Sequence, residues 1–209
     1  MLNAELLSAG GPIVYPLVLC SLVALTLIIE RLIALRTVNI AAPEQCKMVR
    51  HFIEQKDVAG MEVWLTSGDT PLHEMLLVLI EQWRVSKSRI ETSARLEEWA
   101  SQQSSQMERG LEALGVISSV APMLGLMGTV LGMVVTFESI QTYGLGNADA
   151  LAGGISQALL TTLIGLTVGV PTLMAHRFLL TRVDGRLLLL QQLATELLDL
   201  LSVLEHGET

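Results

Sequence analysis

The polar side chains set into the long apolar runs of this chain include hydroxyls (Thr26, Ser118, Ser119, Thr129, Ser156, Thr161, Thr162 and Thr167) and one amide, Gln157. Hydroxyls and amides hold water and bond to carboxyl groups, but they do not titrate near neutral pH. They could line a wet path; they could not carry a proton along it unaided. Passage of ions across lipid ordinarily needs an acid, a base or a histidine. Any proton pathway here therefore expects its titrating group from another chain. The plainer alternative is local, because serine and threonine in a membrane helix also bond the carbonyl four residues back or a neighbouring helix.

Spacing gives these residues a setting. Ala121, Gly125 and Thr129 recur every fourth residue, as do Gly128, Gly132 and Thr136, so each trio shares one helix face. Later in the chain Gly154, Ala158 and Thr162 repeat the pattern, and so do Thr161, Gly165 and Gly169. Gly128 with Gly132, and Gly165 with Gly169, make the spacing that lets helix backbones approach closely in lipid. Pro122 and Pro171 each remove a backbone hydrogen bond inside these stretches and predict kinks. Gln157 is costly to bury alone, so it should face a partner or water.

The elements that must carry these residues follow from charge. No Asp, Glu, Lys, Arg or His occurs in 113–137, and no charged residue in 6–29 or 150–175. About 20 apolar residues span a bilayer as a helix. The chain of 209 residues is 51% hydrophobic, which together with such runs excludes an ordinary soluble domain. The reading is an all-α integral membrane protein with three transmembrane helices, two of them long and extended into a cytoplasmic helical bundle. Its parts are a short periplasmic N-terminus 1–11, a first span 12–36, a cytoplasmic helical region 37–110, a second span 111–140, a periplasmic loop 141–150, a third span 151–178 and a cytoplasmic C-terminal helix 179–209. The net charge is −8, yet every Lys and Arg lies outside 1–30 and 110–176. Basic loops stay inside, which sets this orientation. The first run lacks a basic leader and a small-residue cleavage site, and is expected to be an uncleaved anchor.

Within 37–110 a helix is expected from Pro43 to about Gln55 and a short one over 58–65. Thr70 and Pro71 read as cap and first residue of a third helix, with Leu72, Met75, Leu76, Leu79, Ile80 and Trp83 as its apolar stripe. Nothing breaks the pattern after Ile90 until Pro122, so one long helix is expected from about Ser88 to Phe137. Asp149 could cap the third span. Leu187, Leu190, Ala194, Leu197, Leu201 and Leu204 form a heptad seam that should pack on the 37–110 helices or on a neighbouring subunit.

Other chemistries lack residues. The four histidines make no metal spacing with Cys or Glu, and no nucleophile elbow or phosphate loop is present. No enzyme, metal or cofactor is expected. Basic residues are dispersed among acids, which gives nucleic-acid binding no support. Cys20 and Cys46 fall in a span and a cytoplasmic segment, so they should be reduced.

The stretch from Ala121 through Pro122, Gly125, Gly128, Thr129 and Gly132 to Met133 resembles the second-span motif of the MotA/TolQ/ExbB proton-channel family. Gly154 through Gln157, Thr161, Thr162 and Gly165 to Leu166, followed by Val170 and Pro171, resembles its third-span motif. The likeness is greatest to the ExbB branch, with the TolQ branch, which serves Tol-Pal envelope integrity, as the alternative; a membrane scaffold without conduction is the reading from another class. The resemblance implies a bacterial inner-membrane homo-oligomer, a pentamer, surrounded by membrane lipid. Spans two and three would line its pore around an ExbD/TolR-like single-span partner carrying a membrane Asp. Proton flow would then drive a TonB-like protein and uptake across the outer membrane. It also implies that Thr129 and Thr162 are the pore threonines, with Gln157 and Thr161 in the same pathway, and that protons rather than sodium flow. One departure stands out: Gln157 occupies the place of a glutamate in enterobacterial relatives. The expectation is that Gln157 suffices because the partner's Asp titrates.

Overall fold

A computed structural model describes residues 10–37, 43–86, 88–144 and 148–206. Among the described residues there are seven helices and no strand: α1 Val14–Thr37, α2 Pro43–Gln55, α3 Val58–Thr66, α4 Pro71–Ser86, α5 Arg89–Glu108, α6 Leu111–Tyr143 and α7 Ala148–His206. The expected segments 1–9 and the loop centre 145–147 lie outside the described residues. Three helices are long and apolar enough to cross a membrane: Val14–Ile33, Leu111–Tyr143 and Leu151–Leu204. The expected all-α membrane architecture with three spans is what the chain adopts.

The chain divides into two compact units. The first joins the N-terminal part up to Leu32 with Gly110–Leu179; the second joins Ile33–Arg109 with Leu180–Thr209.

In the first unit α6 and α7 run antiparallel in close contact. Ser118 and Pro122 meet Gly169, Gly125 meets Thr161 and Gly165, and Gly132 meets Gly154 and Ala158. The start of α1 packs on this pair, with Ile13 and Leu17 against Ala121, Leu124, Ile164 and Val168. Beyond that turn α1 leaves Leu19, Leu22, Leu25 and Ile29 exposed, as a helix facing lipid or other chains does. Both prolines are absorbed without ending their helices. Pro122 lies against Gly169, while Pro171 is exposed.

The second unit has a water-protein kind of core. Met61, Leu65, Leu72, Leu76, Leu79, Leu190, Leu193 and Leu197 are almost wholly buried in one cluster that α2, α3, α4, α5 and the end of α7 share. The expected stripe of α4 supplies five of its members, and the seam of α7 supplies Leu190, Ala194, Leu197 and Leu201. The seam therefore packs on the helices of 43–108. At the rim Arg50 holds Glu196 with two bonds of 3.2 Å, Arg84 holds Glu62 and Arg89 lies 2.7 Å from Asp199. Such exposed pairs contribute about 0–1 kcal/mol each, so burial, not charge, holds the unit.

Two expectations on helix ends need correction. The single helix over 88–137 is broken: α5 stops at Glu108 and α6 starts at Leu111, with Gly110 between them at φ 83°. A side chain is strained in that left-handed region. A Cβ there would also lie 3.0 Å from Arg31 Nε, which would have to shift slightly; the positive φ is what calls for glycine. The third span starts at Ala148, which places Asp149 inside its first turn rather than at the cap; there it still favours the helix dipole.

Thr70 does hold the cap position, its carbonyl accepting from Glu74 N at 3.1 Å. Its hydroxyl, however, goes to His73 Nδ1 at 2.6 Å instead of to an amide. His73 is 3% exposed, and its ring sits 4.4 Å from that of Trp64. Burial holds the imidazole pKa below its ordinary value, and a helix N-terminus adds to that sense. The unfolded chain then binds the proton more readily. The stability His73 provides is complete above about pH 6.5 and is lost as pH falls from there toward the lower folded pKa. Thermal unfolding followed by Trp64 emission should show a melting temperature that drops between pH 7.5 and 5.5. His73→Gln should flatten that slope; an equal slope in the variant would rule His73 out as its source.

Candidate functional site

The site is built on the contact between α6 and α7. Helices can approach this closely only where side chains are nearly absent. A Cβ on Gly165 would stand 2.8 Å from the Ala121 carbonyl oxygen and 2.9 Å from Gly125 Cα. On Gly132 it would stand 2.8 Å from both Ala158 Cβ and Gly154 O, and on Gly169 2.6 Å from Pro122 Cγ. Gly128 receives the Thr161 side chain, and Gly154 receives Thr136. Of the glycines and prolines singled out in the sequence, Gly125, Gly128, Gly132, Gly165 and Gly169 all sit in this contact with Pro122; Pro171 does not.

The hydroxyls divide into two groups. Thr161 is fully buried, and its Oγ1 donates within its own helix, to Ala158 O at 2.9 Å or Gln157 O at 3.1 Å. Thr136 likewise is buried and bonds Gly132 O at 2.9 Å. These side chains fill the space that glycine opens opposite. Thr129 and Thr162 are only half-buried, one step round each helix from that contact.

Thr129 and Thr162 both bond carbonyls of α6. Thr162 Oγ1 reaches across to the Gly125 carbonyl oxygen at 3.3 Å. In the helical ladder that same oxygen accepts the amide of Thr129. Thr129 Oγ1 itself donates to Leu126 O at 2.6 Å. The two hydroxyls therefore rest on successive carbonyls of α6, Thr162 on Gly125 O and Thr129 on Leu126 O. Each hydroxyl spends its proton on backbone and keeps acceptor lone pairs. Free acceptor lone pairs of this kind suit a water molecule or a protonated carboxyl group. No Asp, Glu, Lys, Arg or His lies in 113–137 to supply such a group.

Gln157 is placed apart from the threonine pair. A Cβ on Gly11 would run into the Gln157 amide nitrogen, and Gly11 has φ 69°. The amide thus packs directly on the turn that leads into α1, where Val14 N donates to Gly11 O at 3.2 Å. Sequence reasoning missed this contact. Its signal was the pair Gly10–Gly11 ahead of Pro12, a turn that only glycine forms at positive φ.

Histidine at the other end of the bundle was not singled out either. His176 packs on Gly115, with ring atoms 3.3 Å from where a Cβ would be, and its Nδ1 is buried with no hydrogen-bond partner among the described residues. Among those residues no three His, Cys, Asp or Glu side chains gather as a metal would require.

Comparison with known proteins places this geometry. The sequence model of the MotA/TolQ/ExbB proton channel family matches residues 68–192. The biopolymer transport protein exbB1 of Vibrio cholerae is 30% identical over 173 residues, 81% of this chain and 75% of that protein. An ExbB homologue of Methanothermobacter thermautotrophicus is 27% identical over 88% of this chain and 64% of its own length. The biopolymer transport protein ExbB of Helicobacter pylori reaches 42% identity over 78 residues, 37% of this chain and 54% of its own.

Proposed function

Because this chain belongs to the MotA/TolQ/ExbB proton channel family, we propose that it is the channel subunit of an ExbB-like energy-transducing complex of the bacterial inner membrane. Five copies surround an ExbD-like single-span partner whose membrane Asp carries the proton. The N-terminus is periplasmic, 37–110 and the C-terminal helix are cytoplasmic, and the work of proton flow passes to a TonB-like protein for uptake across the outer membrane. Thr129 and Thr162 receive the partner's carboxyl group, and Gln157 needs no charge because it braces the entry turn of α1. Thr161 serves helix packing.

One observation supports this reading: two hydroxyls bond carbonyls of α6, Thr162 at Gly125 O and Thr129 at Leu126 O, in stretches 113–137 and 150–175 that hold no acid. That is half of a proton relay, and the other half must be a carboxyl group. The test is proton uptake into liposomes. The chain alone should be silent, the chain with a partner carrying Asp should conduct, and the same partner with Asn in that place should not. Full conduction by the chain alone would overturn the proposal.

A further inference from the structure

The corner between α3 and α4 closes over one buried ring. Ser67 and Asp69 are exposed, whereas the His73 imidazole beneath them is 3% exposed. Its cover is thin. A Cβ on Gly68 would run into Nε2, Cδ2 and Cε1 alike, so that edge of the ring lies directly against Gly68. Trp64 of α3 stands 4.4 Å away, ring to ring, and Thr70 Oγ1 meets Nδ1 at 2.6 Å.

The backbone bonds on either side stay at their own helix ends. Those of α3 are Ser67 N to Trp64 O at 3.1 Å and Gly68 N to Leu65 O at 3.4 Å; that of α4 is Glu74 N to Thr70 O at 3.1 Å. The His73 side chain spans the gap, touching Gly68, Thr70 and Trp64 at once. An imidazolium carries a donor on each nitrogen. Thr70 can serve Nδ1, but the Nε2 edge is turned onto Gly68. Charged groups of the surrounding elements are otherwise placed. Glu62 of α3 is held by Arg84, Glu74 of α4 accepts from Gln103 of α5 at 3.3 Å, Asp69 is exposed in the turn, and His51 of α2 lies beyond Phe52. His73 enters no ion pair among the described residues.

We propose that His73 is a pH-operated latch: the neutral imidazole closes the α3–α4 corner, and protonation releases residues 67–70 while the rest of the unit stays folded. Water reaches the Nε2 edge only when Gly68 lifts away, so proton uptake and opening are one event. Burial sets the sign, because it holds the pKa of the closed ring below its ordinary value; acid then favours the open corner. His73 is also the third residue of α4, where a cation opposes the helix dipole. Leu65, Leu72 and Leu76 are wholly buried and keep α3 and α4 in the shared core below, which confines the opening. The latch is distinct from the overall loss of stability and needs no proton conduction.

The test uses the full chain in lipid nanodiscs, with Cys20 and Cys46 replaced by alanine and a nitroxide attached through Ser67→Cys. Electron paramagnetic resonance reads the ratio of mobile to immobile label. Between pH 7.5 and 5.5 that ratio should rise several-fold, with about tenfold as the ceiling for an open-state pKa near 6.5. A label at the exposed Glu81 position of α4 should show no such rise. His73→Gln should give one ratio at both pH values. Gly68→Ala, whose Cβ displaces the ring, should give the mobile spectrum at both, and it decides the matter even where His73→Gln fails to assemble. An unchanged ratio in the parent overturns the proposal, and so does a rise that survives His73→Gln. An equal rise at Glu81 would mean general loosening rather than a latch, and a closed spectrum for Gly68→Ala at pH 7.5 would remove the ring as the closure.

Discussion

Replacing Gly165 with leucine is expected to remove the protein from the membrane as an assembled species. The reason is geometric. At this crossing the backbones of α6 and α7 are in contact, and a Cβ alone would stand 2.8 Å from the Ala121 carbonyl oxygen and 2.9 Å from Gly125 Cα. Those obstacles are backbone atoms, so no rotamer change relieves them. Overpacking a well-fitted interior costs typically 1–3 kcal/mol and more when backbone must move; about 3 kcal/mol is the least expected here. In lipid, helix association rests on such close packing rather than on a hydrophobic drive, so there is little to compensate. Native gel or mass analysis of the purified complex would read the result. Gly153→Leu is the control, since nothing lies within 4 Å of a Cβ at Gly153. Equal assembly of both variants would mean that the α6–α7 contact is not what holds the unit.

The second large effect concerns conduction. Thr162→Val should lower partner-dependent proton flux at least tenfold, equivalent to about 1.4 kcal/mol of barrier, with assembly unchanged. Valine keeps the shape of threonine and removes only the hydroxyl. What is lost is an acceptor beside the Gly125 carbonyl, together with the 3.3 Å bond across the helices. Thr161→Val makes the same chemical change at the next residue. There the hydroxyl bonds its own helix and is wholly enclosed, so flux should stay within about twofold of the parent. The pair of measurements separates a pathway role from a packing role. Equal losses in both variants would remove Thr162 from the pathway, and so would a loss of flux that tracks loss of assembly.

Much of the fold could be read from the chain in advance because lipid imposes strict terms. A run without charge has to be a helix, so the spans and their order followed from where Asp, Glu, Lys and Arg do not occur. Helices α2, α3 and α4 were equally plain from Pro43, the Thr70–Pro71 pair and the apolar stripe. The break at Gly110 was not. A lone glycine within a helical pattern is ordinarily tolerated, and no spacing in the sequence marks this one as the position where the chain turns to positive φ. The threonines show a similar limit. Residues 161 and 162 are adjacent, and sequence places them one step apart around a helix without saying which step points at α6. Only the position of Gly128 decides that Thr161 is enclosed and Thr162 is left at the margin. Gln157 was sought in the pathway; its contact with Gly11 depends on a turn whose partner in the fold no spacing rule names.

The interruption before the second span has one more consequence. Gly110 offers no side chain to cap α6, and the first ladder bond of that helix is Leu114 N to Gly110 O at 3.4 Å. The amides of Leu111, Glu112 and Ala113 precede it and have no carbonyl within the helix to receive them. Deuterium should enter these three positions early, between two long stretches that stay protonated. The start of α6 thereby carries its own isotopic reporter, installed by the fold and needing no added label.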